Sequence, residues 1–204
     1  MPDLNELQFD PRPVVLEGAC VRLEPLSLDH ARDLFEAGAD AAVWRYLSIP
    51  GFANIDATRA WIEDAMSQAA QGREVPFAIV EKRSGRAMGS TRYMDIRRAH
   101  RGLEIGWTWL SPAVQRSAVN TECKYLLLSH AFDTLGALRV QLKTDHRNLK
   151  SQQAIERIGG VREGVLRHHM ICPDGTMRDS VYFSILRTEW GKVKTGLETM
   201  VHRS

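Results

Sequence analysis

Residues 103–120 read LEIGWTWLSPAVQRSAVN, and this stretch decides the fold. Its first half alternates in character and stops at Ser111-Pro112, which predicts a β-strand over residues 103–110. Its second half, residues 115–120, is a loop that opens a helix. Such a junction points several unpaired backbone N–H groups at one spot, and the helix dipole adds partial positive charge there. The junction is therefore a natural seat for a pyrophosphate, although many junctions of this kind bind nothing.

The segments before this junction predict an antiparallel meander on which two helices pack. Apolar, β-rich runs and the Ser84-Gly85 turn signal indicate the strands. A short strand is predicted at residues 21–24, and the strands of the meander are predicted at residues 75–80, at 87–96, which is the return strand, and at 103–110. Ser27 is the predicted cap of a helix over residues 28–37, and Asp56 that of a helix ending at Gly72.

The segments after the junction alternate between helix and strand. Asn120 or Thr121 is the predicted cap of a long helix that Gly136 closes, and Asn148 that of a short helix ending at Gly159-Gly160. Between them residues 138–144 alternate as a strand, and the chain closes with a hairpin over residues 161–186 and a helix over residues 189–200. This order predicts an α+β fold, a mixed α/β layer.

Composition narrows the class of protein. The length of 204 residues suits one domain, predicted over residues 14–204 behind an N-terminal extension at residues 1–13. A net charge of +2 gives no reason to expect nucleic acid as the main partner. Three cysteines without a C-x-x-C pair favour neither a disulfide framework nor a zinc site and fit a reducing cytoplasm. Because no apolar run approaches about 20 residues, no membrane association is predicted.

The order of these elements resembles the GNAT N-acetyltransferase superfamily, and within it the branch of RimJ and RimL, acetyltransferases of ribosomal-protein N-termini. The resemblance covers roughly residues 21–197. The pieces that carry it are Glu104-Ile105-Gly106-Trp107, Thr121-Glu122-x-Lys124, Arg139-Val140, Asn148-x-x-Ser151, residues 155–159 and Asp174-Gly175. It implies a central, mostly antiparallel twisted sheet flanked by helices, with acetyl-CoA as co-substrate and no metal.

The resemblance also implies two catalytic residues. Glu104 takes the place of the strand-borne base, because an amine must lose a proton before it can attack; an ion-paired strand glutamate is the alternative. Ser151 matches the serine that assists the leaving thiolate, and a first-turn serine bound to backbone amides is the alternative. Asn148 is predicted both to cap its helix and to bind the pantetheine amide.

The remaining contacts implied by the resemblance fall into three groups. Backbone amides of Trp109, Leu110 and Ser111 are predicted to bind the pantetheine arm like an added strand. The diphosphate contacts are predicted at Gln115, Arg116, Ser117, Ala118, Val119 and Asn120, with Arg116 and Lys124 neutralising charge, and the acceptor contacts at Trp44 and Tyr46. The family's loop usually carries glycines, so their absence here predicts a steric cost at Val119, since a non-glycine residue resists positive φ.

Three further side chains are weighed against catalysis. His168 and His169 have no acidic partner near them in sequence and are predicted at the surface or at the rim of the substrate site. Cys123 lies near a helix start, which could lower its pKa, but its neighbours favour core packing.

The predicted function is transfer of acetyl from acetyl-CoA to a primary amine, by direct attack in a ternary complex. The acceptor is a protein N-terminus or a small amine. The alternatives are an acetyltransferase that modifies a drug or polyamine, and a non-catalytic acyl-CoA sensor or scaffold. A homodimer is expected only because dimers are common among such domains.

Overall fold

The computed structural model describes residues 8–202. Within that part of the chain, eight strands form one sheet in the order β1-β2-β3-β4-β5-β6-β8-β7. The strands are β1 (Leu16–Glu17), β2 (Val21–Pro25), β3 (Val75–Glu81), β4 (Arg86–Arg97), β5 (Gly102–Leu110), β6 (Arg139–Asp145), β7 (Val161–Ile171) and β8 (Met177–Leu186). Neighbours pair antiparallel except β5 and β6, which are parallel. The predicted mostly antiparallel α+β sheet is confirmed.

Five α-helices of the described chain flank this sheet. They are α1 (Ala31–Ala37), α2 (Ile55–Ala70), α3 (Ala118–Ser129), α4 (Leu149–Arg157) and α5 (Arg187–His202). The end of α3 widens into a π-helical turn over His130–Thr134. Short 3₁₀ turns lie at Leu28–His30, Ala41–Val43, Arg98–His100 and Pro112–Val114.

Two of the predicted helix caps are wrong by a few residues. The N-cap of α2 is Asn54, whose side chain accepts from Ala57 N at 2.8 Å, rather than Asp56. The N-cap of α3 is Ser117 rather than Asn120 or Thr121. Both segments hold several competent capping residues within one turn, so the sequence left the choice open. Asn148 caps α4 as predicted, accepting from Ser151 N at 3.1 Å.

The sheet separates two apolar clusters. One packs beneath α1 and α2 and includes Leu34, Ile62 and Trp109; the other packs beneath α3 and α5 and includes Phe77 and Leu127. Residues 75–80 of β3 are all buried, because a central strand covered on both faces has no solvent side. Phe9, inside the predicted N-terminal extension, packs in the second cluster. The domain boundary at residue 14 stays a prediction, and Met1 to Leu7 lie outside the described residues.

The first turns of α3 are fixed to the edge of the sheet by a buried carboxylate. Glu122 accepts hydrogen bonds from the backbone N–H groups of Ala19 at 2.6 Å, Cys20 at 2.8 Å and Val21 at 2.8 Å. Burial alone would raise the pKa of Glu122, but the Cys20 thiol and these three amides outweigh it and hold the pKa below its usual value. Glu122 therefore holds the start of α3 firmly against β2.

Cys123, on the next position of α3, is fully buried in the core. Burial raises its pKa to about 11, so the thiol stays protonated at neutral pH and its role is packing. No helix within residues 8–202 combines the length and apolar character needed to cross a membrane.

Candidate active site

The parallel strands β5 and β6 separate part-way along their length. They pair from Gly102↔Arg139 to Glu104↔Gln141. Beyond that point β5 continues to Leu110 and β6 to Asp145 without pairing to each other. We call the gap between residues 105–110 of β5 and residues 142–145 of β6 the wedge. One edge of each strand is unpaired there, so its backbone groups can bind an extended ligand.

A bulge in β5 widens the wedge. The register of β4 against β5 shifts between Arg92↔Gly106 and Ser90↔Trp109, and Trp107 adopts a left-handed φ of 50°. A bulge bends its strand and redirects the local backbone. Strained residues of this kind concentrate at functional sites, and this one lies directly beyond the last β5–β6 pair.

Two helix N-termini lie at the open end of the wedge. Because β5 and β6 are parallel, their carboxyl ends meet at the same edge of the sheet, and α3 follows one strand while α4 follows the other. The side chain of Gln115 donates to Leu110 O at 2.9 Å and so holds the loop before α3 against the end of β5. Two positive helix ends at one opening favour an anionic ligand.

The start of α3 offers free backbone donors. Ser117 Oγ accepts from Val119 N at 3.3 Å and donates to Val114 O at 2.6 Å, which fixes the first turn. The N–H groups of Arg116, Ser117 and Ala118 have no acceptor among residues 8–202. These donors are the arrangement that the sequence predicted for a diphosphate.

The steric cost predicted at Val119 is wrong. Val119 is helical, and its side chain is buried in the core beneath α3. The left-handed residue of the loop is Arg116, with φ of 61°, and its side chain is exposed. The loop thus makes its turn one residue before the cap, where a long side chain can extend into solvent. Asn120 lies inside the first turn of α3, half-buried, rather than in the loop.

Three other predicted cofactor contacts are not available in this structure. The backbone N–H of Ser111 donates to Met88 O at 2.7 Å, so it is not free for pantetheine. Since successive N–H groups of a strand point to opposite edges, the amide of Leu110 faces the wedge and that of Trp109 faces β4. Lys124 is buried and donates to Thr108 Oγ1 at 2.7 Å, so it does not reach a surface phosphate. Burial lowers the pKa of Lys124.

The start of α4 holds the second predicted pair of residues. The side-chain oxygen of Asn148 is used in the cap, which leaves its NH₂ group for a ligand. The backbone amide of Ser151 is the group that this cap satisfies, and the Ser151 hydroxyl has no hydrogen-bond partner within the described chain. The hydroxyl is therefore available at the mouth of the wedge.

Glu104 is a buried, ion-paired carboxylate at the closed end of the wedge. Only 1% of the residue is exposed. Its Oε2 accepts from Gln141 Nε2 at 2.8 Å and from Lys143 Nζ at 3.1 Å, and its Oε1 is also 3.1 Å from that ammonium. The ion-paired glutamate that the sequence left open as an alternative is thus present.

The predicted acceptor residues lie on the loop between α1 and α2. Trp44 is 4% exposed, packs against Phe52 and Trp109, and donates its indole N–H to Gly38 O at 2.7 Å. Trp44 therefore supports this loop and offers no surface to an acceptor. Tyr46 is half-buried, and its backbone carbonyl accepts from Arg178 at 3.3 Å, which joins the loop to β8.

The sequence did not predict a group of polar side chains beside Glu104. Leu103 and Ile105 point into the core under α3, so Glu104 points to the opposite face, which Gln141, Lys143, Ser180 and Tyr182 share. We call these five residues, Glu104 included, the polar patch. The alternation of β6, with Val140 and Leu142 in the core, was a signal that could have placed Gln141 and Lys143 on this face. Nothing local in the sequence links them to β8.

Comparison with known proteins agrees with this geometry. The acetyltransferase (GNAT) domain family matches residues 21–161. The chain belongs to the GNAT family. It is an acetyltransferase, and the predicted enzyme class is confirmed.

Relatives refine the placement of this GNAT domain. A GCN5-related N-acetyltransferase from Brucella melitensis superposes with a TM-score of 0.89 at 30% identity, covering 95% of this chain and 87% of that one. YdaF of Bacillus subtilis, assigned provisionally by its name to the ribosomal N-acetyltransferases, is 30% identical over 52% of this chain and 57% of its own. RimJ of Mycobacterium smegmatis, solved with CoA-disulfide, shares the fold at 18% identity, with a TM-score of 0.79 over 94% of this chain and 95% of its own. The resemblance to the RimJ/RimL branch is thereby supported.

Proposed function

We propose that this GNAT domain transfers acetyl from acetyl-CoA to a primary amine, by direct attack within a ternary complex. The observation that carries the proposal is the wedge, an unpaired strand edge that ends between two helix N-termini and begins at a buried carboxylate. An extended thioester with an anionic end fits such a gap, with its reactive end toward Glu104.

The cofactor is proposed to bind mainly through backbone groups. Its diphosphate would accept hydrogen bonds from the free N–H groups at residues 116–118, in the field of the α3 dipole. Arg116 and Lys150 are exposed on either side of the opening and pair with no carboxylate among the described residues, so both can neutralise phosphate. The pantetheine arm would pair with the Leu110 amide and the Asn148 NH₂ group.

The acceptor amine is proposed to enter over the polar patch. As the nitrogen attacks, it gains positive charge, which the Glu104 carboxylate stabilises in a site of low dielectric. The amine proton can leave directly or through one water, either to Glu104, as the resemblance implies, or to another group beside the polar patch. The leaving thiolate lies toward α4, where the Ser151 hydroxyl is free to donate a hydrogen bond.

A peptide N-terminus is the acceptor that we favour, and a small amine is the alternative. An α-amine loses its proton more readily than a lysine side chain and so needs less help from a base. Aromatic rings also lie near the bulge of β5: those of Trp107 and Trp61 are 5.0 and 5.3 Å from the guanidinium carbon of Arg92. The name of YdaF, which assigns that relative provisionally to the ribosomal N-acetyltransferases, favours a protein acceptor.

Two measurements test the proposal. Acetyl-CoA at about 100 times its Kd should stabilise the chain by about 2.7 kcal/mol in a thermal-shift titration. Thiol release from acetyl-CoA should then depend on added acceptor, offered as synthetic pentapeptides with free N-termini or as simple alkylamines. Binding without acceptor-dependent release would favour the acyl-CoA sensor, and absence of binding at millimolar acetyl-CoA would refute the proposal.

A further inference from the structure

An irregular segment of β7 points one histidine onto the polar patch. The pairing of β7 with β8 is regular from Gly164↔Tyr182 to Leu166↔Ser180 and resumes at Met170↔Arg178, so three residues of β7 face one of β8. Within this bulge His168 has a left-handed φ of 49°, and its backbone N–H donates to Asp179 Oδ1 at 2.7 Å. A non-glycine residue in that conformation costs free energy that the surrounding structure must supply. The bulge has a clear effect, because it redirects the neighbouring side chain of His169.

His169 is held between two hydroxyl groups of β8. Its Nδ1 lies 3.0 Å from Ser180 Oγ, and its Nε2 lies 3.2 Å from Tyr182 Oη. Ser180 Oγ also accepts from Arg178 Nε at 3.1 Å, and Arg178 binds the carbonyl of Tyr46. The imidazole is therefore fixed at both nitrogens, and its outer partner, Tyr182, belongs to the polar patch beside Glu104 and Lys143.

The charges around this pair keep the imidazole neutral. Partial burial lowers the pKa of His169, the positive charges of Lys143 on β6 and Arg178 on β8 lower it further, and Glu104 on β5 opposes them. Burial raises the pKa of Tyr182, Glu104 and Asp95 raise it further, and Arg178 opposes them. At neutral pH the pair is thus a phenol beside an unprotonated imidazole, which is the state that can receive a proton.

We propose that Tyr182 and His169 carry away the proton of the acceptor amine, with the Tyr182 hydroxyl touching the amine and His169 acting through it. The inference rests on the proposed function, since it assigns the path of the proton in that reaction. In this assignment Glu104, paired with Lys143, is the anion that stabilises the attacking nitrogen, and the Tyr182–His169 pair rather than Glu104 takes the proton.

The step balances without a further reactant. The nitrogen forms a bond to the thioester carbon, the C–S bond breaks, and CoA leaves as a thiolate. The nitrogen proton passes to Tyr182 Oη while the phenolic proton passes to His169 Nε2, leaving an amide, a phenol and an imidazolium. In the resting state Nδ1–H donates to Ser180 Oγ and Nε2 accepts from Tyr182. The half-buried imidazolium then releases its proton to solvent.

The kinetic test uses three variants of the full chain. His169→Asn keeps a donor near Ser180 and removes Nε2, Tyr182→Phe removes only the hydroxyl, and His168→Asn is the matched control, since asparagine tolerates the left-handed conformation. With acetyl-CoA and free-N-terminal pentapeptides, the first two should each lower kcat about 100-fold and abolish the acid limb of the pH profile. The double variant should be no slower than either single one, because both act in one path. The control should match wild type.

A second readout needs no acceptor. Nitrogen-15 NMR of the imidazoles should show His169 with hydrogen on Nδ1 and a pKa below the ordinary imidazole value, and Tyr182→Phe should shift the Nε2 resonance. A wild-type pH profile in His169→Asn, or hydrogen on Nε2 in the free protein, would overturn the inference. If the wild-type chain does not bind acetyl-CoA, the proposed function is refuted instead. The tautomer of His169 would then still decide whether Tyr182 and His169 are arranged to receive a proton.

Discussion

The two sides of the wedge are built from different kinds of groups. At its open end the structure offers backbone N–H groups and the dipoles of α3 and α4, with small or exposed side chains around them. At its closed end it offers polar side chains from β5, β6 and β8, among them the ion pair of Glu104 and Lys143. A backbone site depends little on which residues carry the amides, whereas a side-chain site depends on every one of them. This explains how a loop without glycine can keep the geometry of a diphosphate seat.

The strongest test of the proposed diphosphate site places a negative charge at the start of α3 while keeping a residue that can cap the helix. Aspartate caps helices as well as serine does, but it cannot donate to Val114 O as the Ser117 hydroxyl does, so Ser117→Asp should fold with a modestly lower melting temperature. Its carboxylate would lie beside the diphosphate, and the acetyl-CoA Kd should rise on the order of 100-fold. Isothermal titration calorimetry measures the change.

The matched control is Ser117→Asn, which caps the helix and stays neutral. It should bind acetyl-CoA within about 3-fold of wild type, since a backbone seat tolerates the exchange. Equal affinities of the aspartate and asparagine variants would place the diphosphate elsewhere.

On the side-chain part of the wedge, Glu104→Gln keeps the shape and removes the charge. We expect kcat to fall about 100-fold with the acetyl-CoA Kd unchanged, because the anion stabilises only the attacking nitrogen. The acid limb of the pH profile should persist and move to lower pH, since Glu104 raises the pKa of His169 and its removal lets that pKa fall. Stopped-flow thiol release over a pH series checks both statements.

Glu163→Gln serves as the comparison. Glu163 is also a strand carboxylate paired with a cation, Arg139, but it lies on β7, at the far edge of the sheet. It should leave kcat unchanged. Disappearance of the acid limb in Glu104→Gln would instead make Glu104 the base.

The same contrast separates what the sequence could predict from what it could not. The strands and helices followed from periodicity and turn residues, and the diphosphate seat followed from one contiguous segment, residues 103–120. The polar patch brings together Glu104, Lys143 and Tyr182, which lie far apart in sequence and meet only through the register of three strands. Periodicity assigns each of them to a face, but no local pattern says which strands are neighbours. The bulge of β7 that contains His169 could not be predicted either, because no residue pattern at positions 166–170 indicates a register shift.

The backbone seat also requires a rigidly placed α3, and that can be tested through Glu122. Glu122→Gln weakens three charge-assisted hydrogen bonds, so it should cost about 2 kcal/mol and lower the melting temperature by about 4 to 8 °C. The pKa of Glu122 is lower in the folded state than in the unfolded state. Ionisation of Glu122 therefore stabilises the fold at pH values above the unfolded-state pKa, and this stabilisation is lost as the pH falls through the folded-state pKa. The difference between wild type and variant in differential scanning calorimetry should therefore be largest near pH 7 and shrink below about pH 4.

Glu156→Gln, at an exposed position of α4, is the control and should melt with wild type. A constant difference down to acid pH would mean that the Glu122 charge is not what holds α3.

The smallest expected effect lies where backbone and side-chain chemistry meet, at the start of α4. Ser151→Ala removes a hydroxyl that satisfies no backbone group, since Asn148 already caps the helix, so stability and acetyl-CoA affinity should not change. If the hydroxyl stabilises the departing thiolate, kcat should fall by about 10-fold, which is the value of one hydrogen bond to a charged group. Ser151→Thr retains the hydroxyl and should keep most of the activity, while Ser67→Ala, on the exposed face of α2, controls for losing a helical serine. A drop in melting temperature together with kcat would assign Ser151 to the helix instead, because a group that acts only on the thiolate cannot affect the unliganded fold.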